Sequence, residues 1–557
     1  METRRLVLVM IFSISFLMLW DNYQIAQGKP SILGYQTSSP PSQASLSVEN
    51  LPSTAVSSGD LPNPVSASEV ISNQSSTADS EGDPIAKAAR ISVKTKTLEL
   101  EFSTFGGQLV AAKLLNHPDL VNPDEMIQLF EYSDNRVYLG QIGIIGVEGA
   151  PNHRTYYEVV QPPTLNSSGD FQTLVFKSNS NGIAHTLQYK ISQTGYDITV
   201  KSAVQNLSNV VVNPSVYVQM TRDNKPLESD SKLYSTFTGP AVYSPEKKYE
   251  KVKFDDIVDG SARFVNQSNS GWLAMVQHYF VSAIIPQEGP RKNNVRQIEP
   301  GLFSVGMVAA LGSVEPGKTV EYQSILYTGP QNQRVLETLS PGLDLVVDYG
   351  WLTVVAQPIY WLLEQIHSVV GNWGWSIILL TVLIKALFFP LSATSYKSMA
   401  KMRKAGPRMQ LLKEQFKDDK MGFQRAMMEL YKREKINPLS GCMPIVIQIP
   451  VFIALYWVLL ASVEMRYAPW VGWITDLASP DPYFILPIIM AVTMFIQTKL
   501  NPTPPDPLQA KVMMIMPLVF SFLFLFFPAG LVLYWVVNNI LSIAQQWVIT
   551  KRIEKHV

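Results

Sequence analysis

The sequence has little charge and almost no cysteine. Only 16% of its 557 residues are charged, against about a quarter in soluble domains. Its formal net charge at pH 7 is zero, so no overall charge attracts nucleic acid. The single cysteine, Cys442, excludes an internal disulfide, and the six histidines lack the spacing of metal ligands. We expect no metal, no other cofactor, no catalytic residue and no enzymatic activity.

The apolar residues are concentrated at the two ends of the chain. The first run, Leu6–Trp20, follows Arg4 and Arg5. It has two interpretations, a cleaved signal peptide and an uncleaved membrane anchor. We favour an anchor over residues 1–23, because Trp20 is part of an aromatic pair typical of the membrane interface and no small-x-small cleavage site follows.

The middle of the chain changes from a tether to a β domain. Residues 24–88 are rich in Ser, Pro, Asn and Thr and predict a flexible tether, since such a segment cannot bury enough apolar surface to fold. Residues 89–345 alternate apolar and polar side chains between turn signals. Two strand patterns, Thr186–Ile191 and Tyr196–Ala203, predict a hairpin. We expect a large antiparallel β-sandwich domain.

One nucleotide-binding pattern lies inside this β region. Gly312–Thr319 fits G-x-x-x-x-G-K-[ST]. That loop binds phosphate only between a strand and a helix whose N-terminus receives the anion. Here Thr319 opens a strand-like run, so we interpret the segment as a β-turn and expect no nucleotide.

The last part of the chain predicts membrane helices. Residues 351–368 form an amphipathic helix expected to lie along the membrane surface. Apolar segments then follow at about 369–391, 441–461, 483–500, 512–528 and 530–549. Each is long enough, or nearly so, to cross about 30 Å of hydrocarbon. With the anchor, they give six transmembrane helices, so the fold class is an α + β multidomain membrane protein.

Loop charge sets the orientation. The loop of residues 392–440 has twelve Lys/Arg against five Asp/Glu between Ser392 and Pro438, and the short tail, 550–557, is basic as well. Between Ala461 and Tyr483 the only such cation is Arg466. We expect both termini and the basic loop in the cytoplasm and the β domain outside, in the periplasm of a Gram-negative cell.

Polar residues inside the apolar segments predict a groove. Thr381 and Lys385 share one helix face, Gln448 lies in the next segment, and the last segment has a stripe of Tyr534, Asn538 and Ser542. Given the orientation, most of them fall in the cytoplasmic half, whereas the outer halves are apolar. The pattern predicts a polar pocket open toward the cytoplasmic leaflet.

Lys385 has two interpretations. A charge at the bilayer centre costs about 3 kcal/mol on insertion scales, and none of the five apolar segments contains Asp or Glu. The side chain either extends to the head groups or serves as a functional cation in a hydrated groove. We favour the groove, because the other polar residues cluster with it.

The basic loop also has two interpretations. It predicts two helices, about Ala393–Phe416 and Phe423–Lys435, with methionines among basic side chains such as Arg403. The methionines form either an ordinary interface between the helices or an adaptable apolar surface that receives nascent chains. They are Met399, Met402, Met409, Met427 and Met428.

Several long motifs closely resemble the YidC/Oxa/Alb family of membrane insertases. They are Pro390-Leu391, Ser398–Arg403, Asn437–Cys442, Pro444–Pro450, Asp481–Pro487 and Pro528–Trp535. The resemblance covers essentially the whole chain and implies a five-helix core with a hydrophilic groove, and a periplasmic β-supersandwich. It places Lys385 where the family usually has arginine, Gln448 at the groove glutamine, and Tyr534 and Trp535 at a pair of aromatics. Its implied partners are nascent membrane proteins, membrane lipids, the Sec translocon, and the ribosome with the signal recognition particle system.

The function expected from residues and resemblance is insertion of proteins into the bacterial inner membrane. Two other functions compete with it. A solute transporter or channel would need a polar path through both leaflets, which the apolar outer halves disfavour. A saccharide-binding envelope-assembly protein would use the β domain, where no cluster of aromatics with carboxylates marks a sugar site.

Overall fold

The computed structural model describes residues 83–120, 122–226, 236–416, 419–434, 443–501 and 507–555. All of them belong to one compact unit, Ser57–Val557. The expected anchor at residues 1–23, the tether up to residue 82, and the Asn437–Cys442 motif lie outside the described residues. The first helix of the described residues, Pro84–Lys87, precedes the domain boundary that we expect at residue 89.

The β domain consists of two antiparallel sheets, each of nine strands within the described residues. In spatial order, the first sheet contains β1 (Arg90–Lys94), β2 (Leu98–Ser103), β3 (Leu109–Pro118), β4 (Met126–Tyr132), β5 (Val137–Ile145), β10 (Ser215–Asp223), β17 (Leu302–Ala310), β16 (Arg291–Glu299) and β13 (Gln267–Ser268). The second contains β12 (Lys248–Lys251), β11 (Gly239–Ser244), β14 (Trp272–Gln277), β15 (Phe280–Pro286), β18 (Thr319–Pro330), β9 (Asp197–Asn206), β8 (Ile183–Ser192), β7 (Phe171–Ser180) and β6 (Glu158–Leu165).

The core of this domain lies between the two sheets. Along β9, every second residue is buried, as alternation of apolar and polar side chains requires of a strand with one face inward. Phe102 of the first sheet packs on Tyr189 of the second, with ring centroids 4.6 Å apart. In the expected hairpin, Ile191 of β8 lies opposite Ile198 of β9. The prediction of an antiparallel β-sandwich is confirmed.

The Gly312–Thr319 segment joins two strands. It connects β17 to β18, and Lys318 N donates to Glu315 O at 3.0 Å within it. Gly317 has a φ of 76°, a left-handed conformation that glycine adopts without strain. A strand follows where phosphate binding needs a helix, so the interpretation of this segment as a turn is confirmed.

The remainder of the chain is mainly helical. Two short helices, α1 (Pro84–Lys87) and α2 (Phe254–Val258), belong to the β domain. The others are α3 (Gln333–Leu339), α4 (Thr353–Val370), α5 (Trp373–Leu387), α6 (Phe389–Gln415), α7 (Lys420–Arg433), α8 (Met443–Ala461), α9 (Ile485–Leu500), α10 (Pro507–Leu523) and α11 (Ala529–Lys555). Short 3-10 turns span Leu343–Val346, Gly350–Leu352, Val463–Met465 and Phe524–Phe526.

Three helices, α5, α8 and α9, are shorter than the apolar segments that predicted them. Among the described residues, one helix, Ala529–Arg552, is long and apolar enough to cross a membrane. Helices α5 and α6 are bent by 67° relative to each other, and they give a second such segment only if the two together are taken as one membrane span. Gly371 ends α4 with a φ of 70°, and the Asn372 side chain then accepts from Trp375 N at 3.0 Å and starts α5. Part of the 369–391 segment is therefore loop.

The loop before α9 holds the start of α11. Ala529 N donates to Ser479 O at 2.8 Å, and Gly530 N donates to Leu477 O at 3.0 Å. A Cβ on Gly530 would lie 3.2 Å from that carbonyl oxygen, so glycine permits the close approach. The sequence predicts a break between the last two apolar segments, 512–528 and 530–549. In the structure α10 ends at Leu523 and α11 begins at Ala529, so the helices are interrupted between these two residues.

Candidate functional site

Lys385, near the end of α5, contacts the last helix. Its Nζ donates to Ser542 Oγ at 2.8 Å, and Ser542 Oγ in turn donates to Asn538 O at 2.7 Å. Lys385 forms no ion pair with any carboxylate in the described part of the chain. The ammonium is therefore held by a neutral hydroxyl, which leaves its charge uncompensated.

A second polar contact joins α8 to α11. Gln448 Nε2 donates to the hydroxyl of Tyr534, which is 1% exposed. Phe452, one turn along α8, packs against Tyr534 and Trp535 with ring centroids 6.3 and 4.9 Å apart. These side chains of α5, α8 and α11 belong to the groove that the sequence predicts, and we keep the name groove for this set of residues.

The groove contains buried polar atoms without hydrogen-bond partners. Asn538 Oδ1, Trp535 Nε1 and Gln545 Oε1 make no hydrogen bond to any described residue. An unmade hydrogen bond of this kind costs about 1–3 kcal/mol. Such atoms suit a site that exchanges hydrogen bonds with a transient occupant, because they leave donors and acceptors free for it.

Thr381 is buried on α5, and its part in the groove stays a prediction. It lies four residues before Lys385 on α5, but it is 1% exposed and its hydroxyl donates to Ile377 O at 2.7 Å. The hydroxyl is therefore used within its own helix. The four-residue spacing places Thr381 on the same helix face as Lys385, but it does not predict which acceptor the threonine hydroxyl bonds to.

A second polar stripe on α11 was not predicted from the sequence. Asn539 Nδ2 donates to Thr493 Oγ1 on α9 at 3.3 Å, and Gln546 Nε2 donates to Leu500 O at 3.1 Å. The two side chains are seven residues apart and so share one helix face. This spacing was a usable signal. These two contacts attach α11 to α9, whereas Ser542 of the same helix contacts Lys385 of α5.

The two helices of the basic loop form a hairpin with an apolar interface. Met409 is buried there with Ala405 and Tyr431, and Met402 and Met427 pack against them. Met399 is half-buried and Arg403 is exposed. The methionines of this interface thus fit the structural interpretation.

The outer face of α7 offers another apolar surface. Met421 and Met428 are both exposed and line a cavity of about 600 Å³ together with Gln424, Arg425 and Lys432. Here methionine and basic side chains alternate on one open surface. This part of the hairpin fits the interpretation as a receiving surface.

Comparisons with known proteins cover the whole chain. The model described as "60Kd inner membrane protein" matches residues 365–556, and the "YidC periplasmic domain" model matches residues 90–362. A curated "Membrane protein insertase YidC" of Bordetella petrii is 47% identical over 559 residues, covering 100% of this chain and 99% of that protein. One from a Janthinobacterium species is 48% identical, covering 99% of each.

Solved structures were compared as well. A crystal structure titled as an active YidC insertase with its first transmembrane domain resolved covers 82% of this chain and 91% of that one, at 20% identity and a TM-score of 0.38. This TM-score is low, so the assignment depends on the family models and the curated relatives.

Proposed function

The chain belongs to the YidC family of membrane protein insertases, and we propose that it inserts its clients through the groove around Lys385. The observation that carries this proposal is the contact of the Lys385 ammonium with Ser542, without an ion pair to any carboxylate that the structure describes. A cation without a fixed counter-charge, next to unpaired hydrogen-bonding atoms, is suited to a transient polar or acidic occupant.

The mechanism requires no covalent step and no catalytic residue. A hydrophilic segment of the client enters the groove and rests near Lys385, which shortens the apolar distance that it has to cross. The client's hydrophobic helix then moves into lipid along α8 and α11. Burial of its apolar surface, at roughly 25 cal/mol per Å², drives the step.

The same proposal includes the topology and the partners. The anchor and five apolar segments give six spans, with the basic hairpin and both termini in the cytoplasm and the β domain in the periplasm. Loop charge supports this orientation. Nascent membrane proteins are the clients, and the Sec translocon, the ribosome, the signal recognition particle system and membrane lipids are the further partners that we propose.

Site-specific photocrosslinking tests the groove. A photoreactive residue at Gln448 or Ser542 should crosslink to a stalled nascent membrane protein. The matched control is Val354, which is exposed on α4, where the same residue should give little product. Crosslinks from Val354 as strong as those from both groove positions would exclude the groove as the client path.

A further inference from the structure

Glu464 lies in the short 3-10 turn Val463–Met465 that follows α8. Its Oε1 accepts two hydrogen bonds, from the Tyr360 hydroxyl of α4 at 3.1 Å and from Asn332 Nδ2 at 3.2 Å. Glu464 forms no ion pair with any cation that the structure describes. One carboxyl oxygen is therefore held by two neutral donors, which come from different parts of the chain.

Asn332 connects this carboxyl group to the β domain. It lies between β18 and α3, and its Oδ1 caps the first turn of α3. The preceding residue, Gln331, donates through Nε2 to Gln277 O and to Phe280 O, both at 2.9 Å. These two acceptors lie at the end of β14 and the start of β15. The chain around Asn332 is thus fixed to the second sheet and also bound to Glu464.

Tyr360 connects the same carboxyl group to α4. Its side chain is 6% exposed and packs against Tyr349, with ring centroids 6.2 Å apart. Burial raises the pKa of Glu464 above its usual value, and the hydrogen bond from Tyr360 opposes that rise. The bond therefore favours the ionised carboxylate. Because a hydrogen bond to a charged acceptor is about twice as strong as one between neutral groups, this contact is suited to hold a helix in place.

Helix α4 in turn packs against two helices of the groove. It contacts α5, which carries Lys385, and α8, which carries Gln448. Leu363 of α4 is fully buried in one apolar cluster with Leu380 of α5 and Leu455 of α8. A close-packed interior transmits displacements, because it contains little free volume. A shift of α4 would therefore move the helices on which the groove residues lie.

We propose that Glu464 is a positioning residue of the insertase, which joins α4 to the end of α8 and to the β domain and thereby fixes the helices of the groove. Glu464 itself lies outside the groove and acts through α4. A second contact, the ion pair of Arg334 on α3 with Glu364 on α4, is largely exposed on the arginine side, and such pairs contribute little. The effect on insertion rests on the proposed function, but the contact of Glu464 with α4 does not.

Hydrogen–deuterium exchange of the full-length protein tests the joint directly. Glu464→Ala removes the acceptor of both bonds, so we expect the amides of α4 to exchange roughly tenfold faster, while those of α7 in the hairpin keep the rate of the parent. Glu464→Gln retains an acceptor oxygen without the charge and should give a smaller increase. Tyr360→Phe removes one donor, and it serves as the test if Glu464→Ala does not fold.

A double-mutant cycle separates this joint from a general loss of packing. If the Tyr360 hydroxyl acts through Glu464, Tyr360→Phe should have little further effect on α4 in the Glu464→Ala background. The matched control is Arg334→Gln, which breaks the other contact between α3 and α4 and should change the exchange of α4 less than Glu464→Ala does. Unchanged exchange in Glu464→Ala, additive effects of the two substitutions, or an equal increase in Arg334→Gln would overturn the proposal.

Reporter insertion tests the consequence for the groove. Glu464→Ala should lower insertion severalfold, and equally for two clients that differ only in one translocated Asp or Asn, because it leaves the charge of Lys385 in place. Glu464→Gln should restore most of the activity. Unchanged insertion by a Glu464→Ala protein whose α4 exchanges faster would refute the positioning role. If photocrosslinking excludes the groove as the client path, the exchange experiments still decide whether Glu464 holds α4.

Discussion

Two buried polar clusters differ in how completely they are paired. In the β domain, the ring of His185 is bonded on both sides, to Tyr157 Oη at 2.8 Å and to Ser202 Oγ at 2.7 Å. In the groove, Lys385 has one neutral partner, and the Oδ1 of Asn538 has none among the described residues. A fully paired network stabilises one structure, whereas free polar atoms permit exchange with an occupant. This difference supports our proposal that the groove residues bind clients and that the His185 cluster stabilises the fold.

Deletion of the hairpin should have the largest effect on insertion. Removal of part of the loop between Lys397 and Lys435 eliminates the exposed Met421 and Met428 surface, so we expect most insertion activity to be lost. Single Lys→Gln changes in the same loop should be mild, because exposed charges contribute little individually. Insertion of a reporter client into membrane vesicles measures both. A fully active deletion would show that this surface has no role.

Lys385 tests the groove directly. Lys385→Arg should remain active, since the charge is kept. Lys385→Ala should impair insertion of clients with acidic translocated segments, because one opposite charge at contact distance contributes up to about 4 kcal/mol at intermediate dielectric. The measurement uses two clients that differ only in one translocated Asp or Asn. Equal insertion of both in both backgrounds would leave a groove that acts by shape alone.

His185 tests the paired cluster. His185→Ala should destabilise the β domain by about 2–3 kcal/mol, because it leaves Tyr157 and Ser202 without their partner. Insertion should stay unchanged at temperatures where the domain remains folded. Denaturant unfolding followed by tryptophan fluorescence measures the first effect, and the reporter assay measures the second. A stable variant with impaired insertion would reverse the roles of the two clusters.

The pH dependence of stability should reflect His117. Its pKa is about 4 in the folded protein, lowered first by burial and then by Arg466, against 6.5 for the free side chain. Between these values the unfolded chain binds more protons, so stability falls as pH decreases from 6.5 to 4. His117→Gln should make the unfolding midpoint less dependent on pH in that window. Identical slopes for parent and variant would refute this contribution.

Deletion of the β domain should affect insertion least. Removal of about residues 95–320, with the helix after Trp351 retained, leaves the groove residues in place. The shortened protein will lose stability, since Tyr243 and Trp272 of the β domain pack in one apolar cluster with the helices. Reporter insertion should be retained in membranes that contain equal amounts of the two proteins. Complete loss at equal amounts would assign the β domain an essential part in insertion.

Local patterns in the sequence predicted local structure well. The β8–β9 hairpin follows from alternation on both sides of a short turn, and the turn at Gly312–Thr319 follows from the strand that comes after it. The order of the strands could not be predicted from the sequence. Strand β10 pairs with β5 and β17, which are distant in the chain, and the pairing is made by backbone groups, which are the same for every residue type except proline.

The groove was partly predictable for a physical reason. A polar residue such as Lys385 is costly in an apolar segment, so its presence is informative, and its contact with Ser542 joins residues that are 157 positions apart. The contacts of Asn539 were missed, although its seven-residue spacing to Gln546 was a usable signal. The burial of Arg466 was also missed, because it depends on β3, which is distant in sequence.

The hydrogen bonds that hold Ala529 and Gly530 make the start of α11 a pivot. This helix has 27 residues, and at 1.5 Å per residue it acts as a lever about 40 Å long. A tilt of about 5° around the pivot moves the far end by about 3.5 Å and the level of Ser542, about 20 Å along, by nearly 2 Å. A rigid tilt of that size would lengthen the 2.8 Å contact of Lys385 with Ser542 wherever the lysine side chain does not follow it. The bonds of Asn539 and Gln546 to α9 oppose such a tilt, so they help to keep Ser542 beside the ammonium.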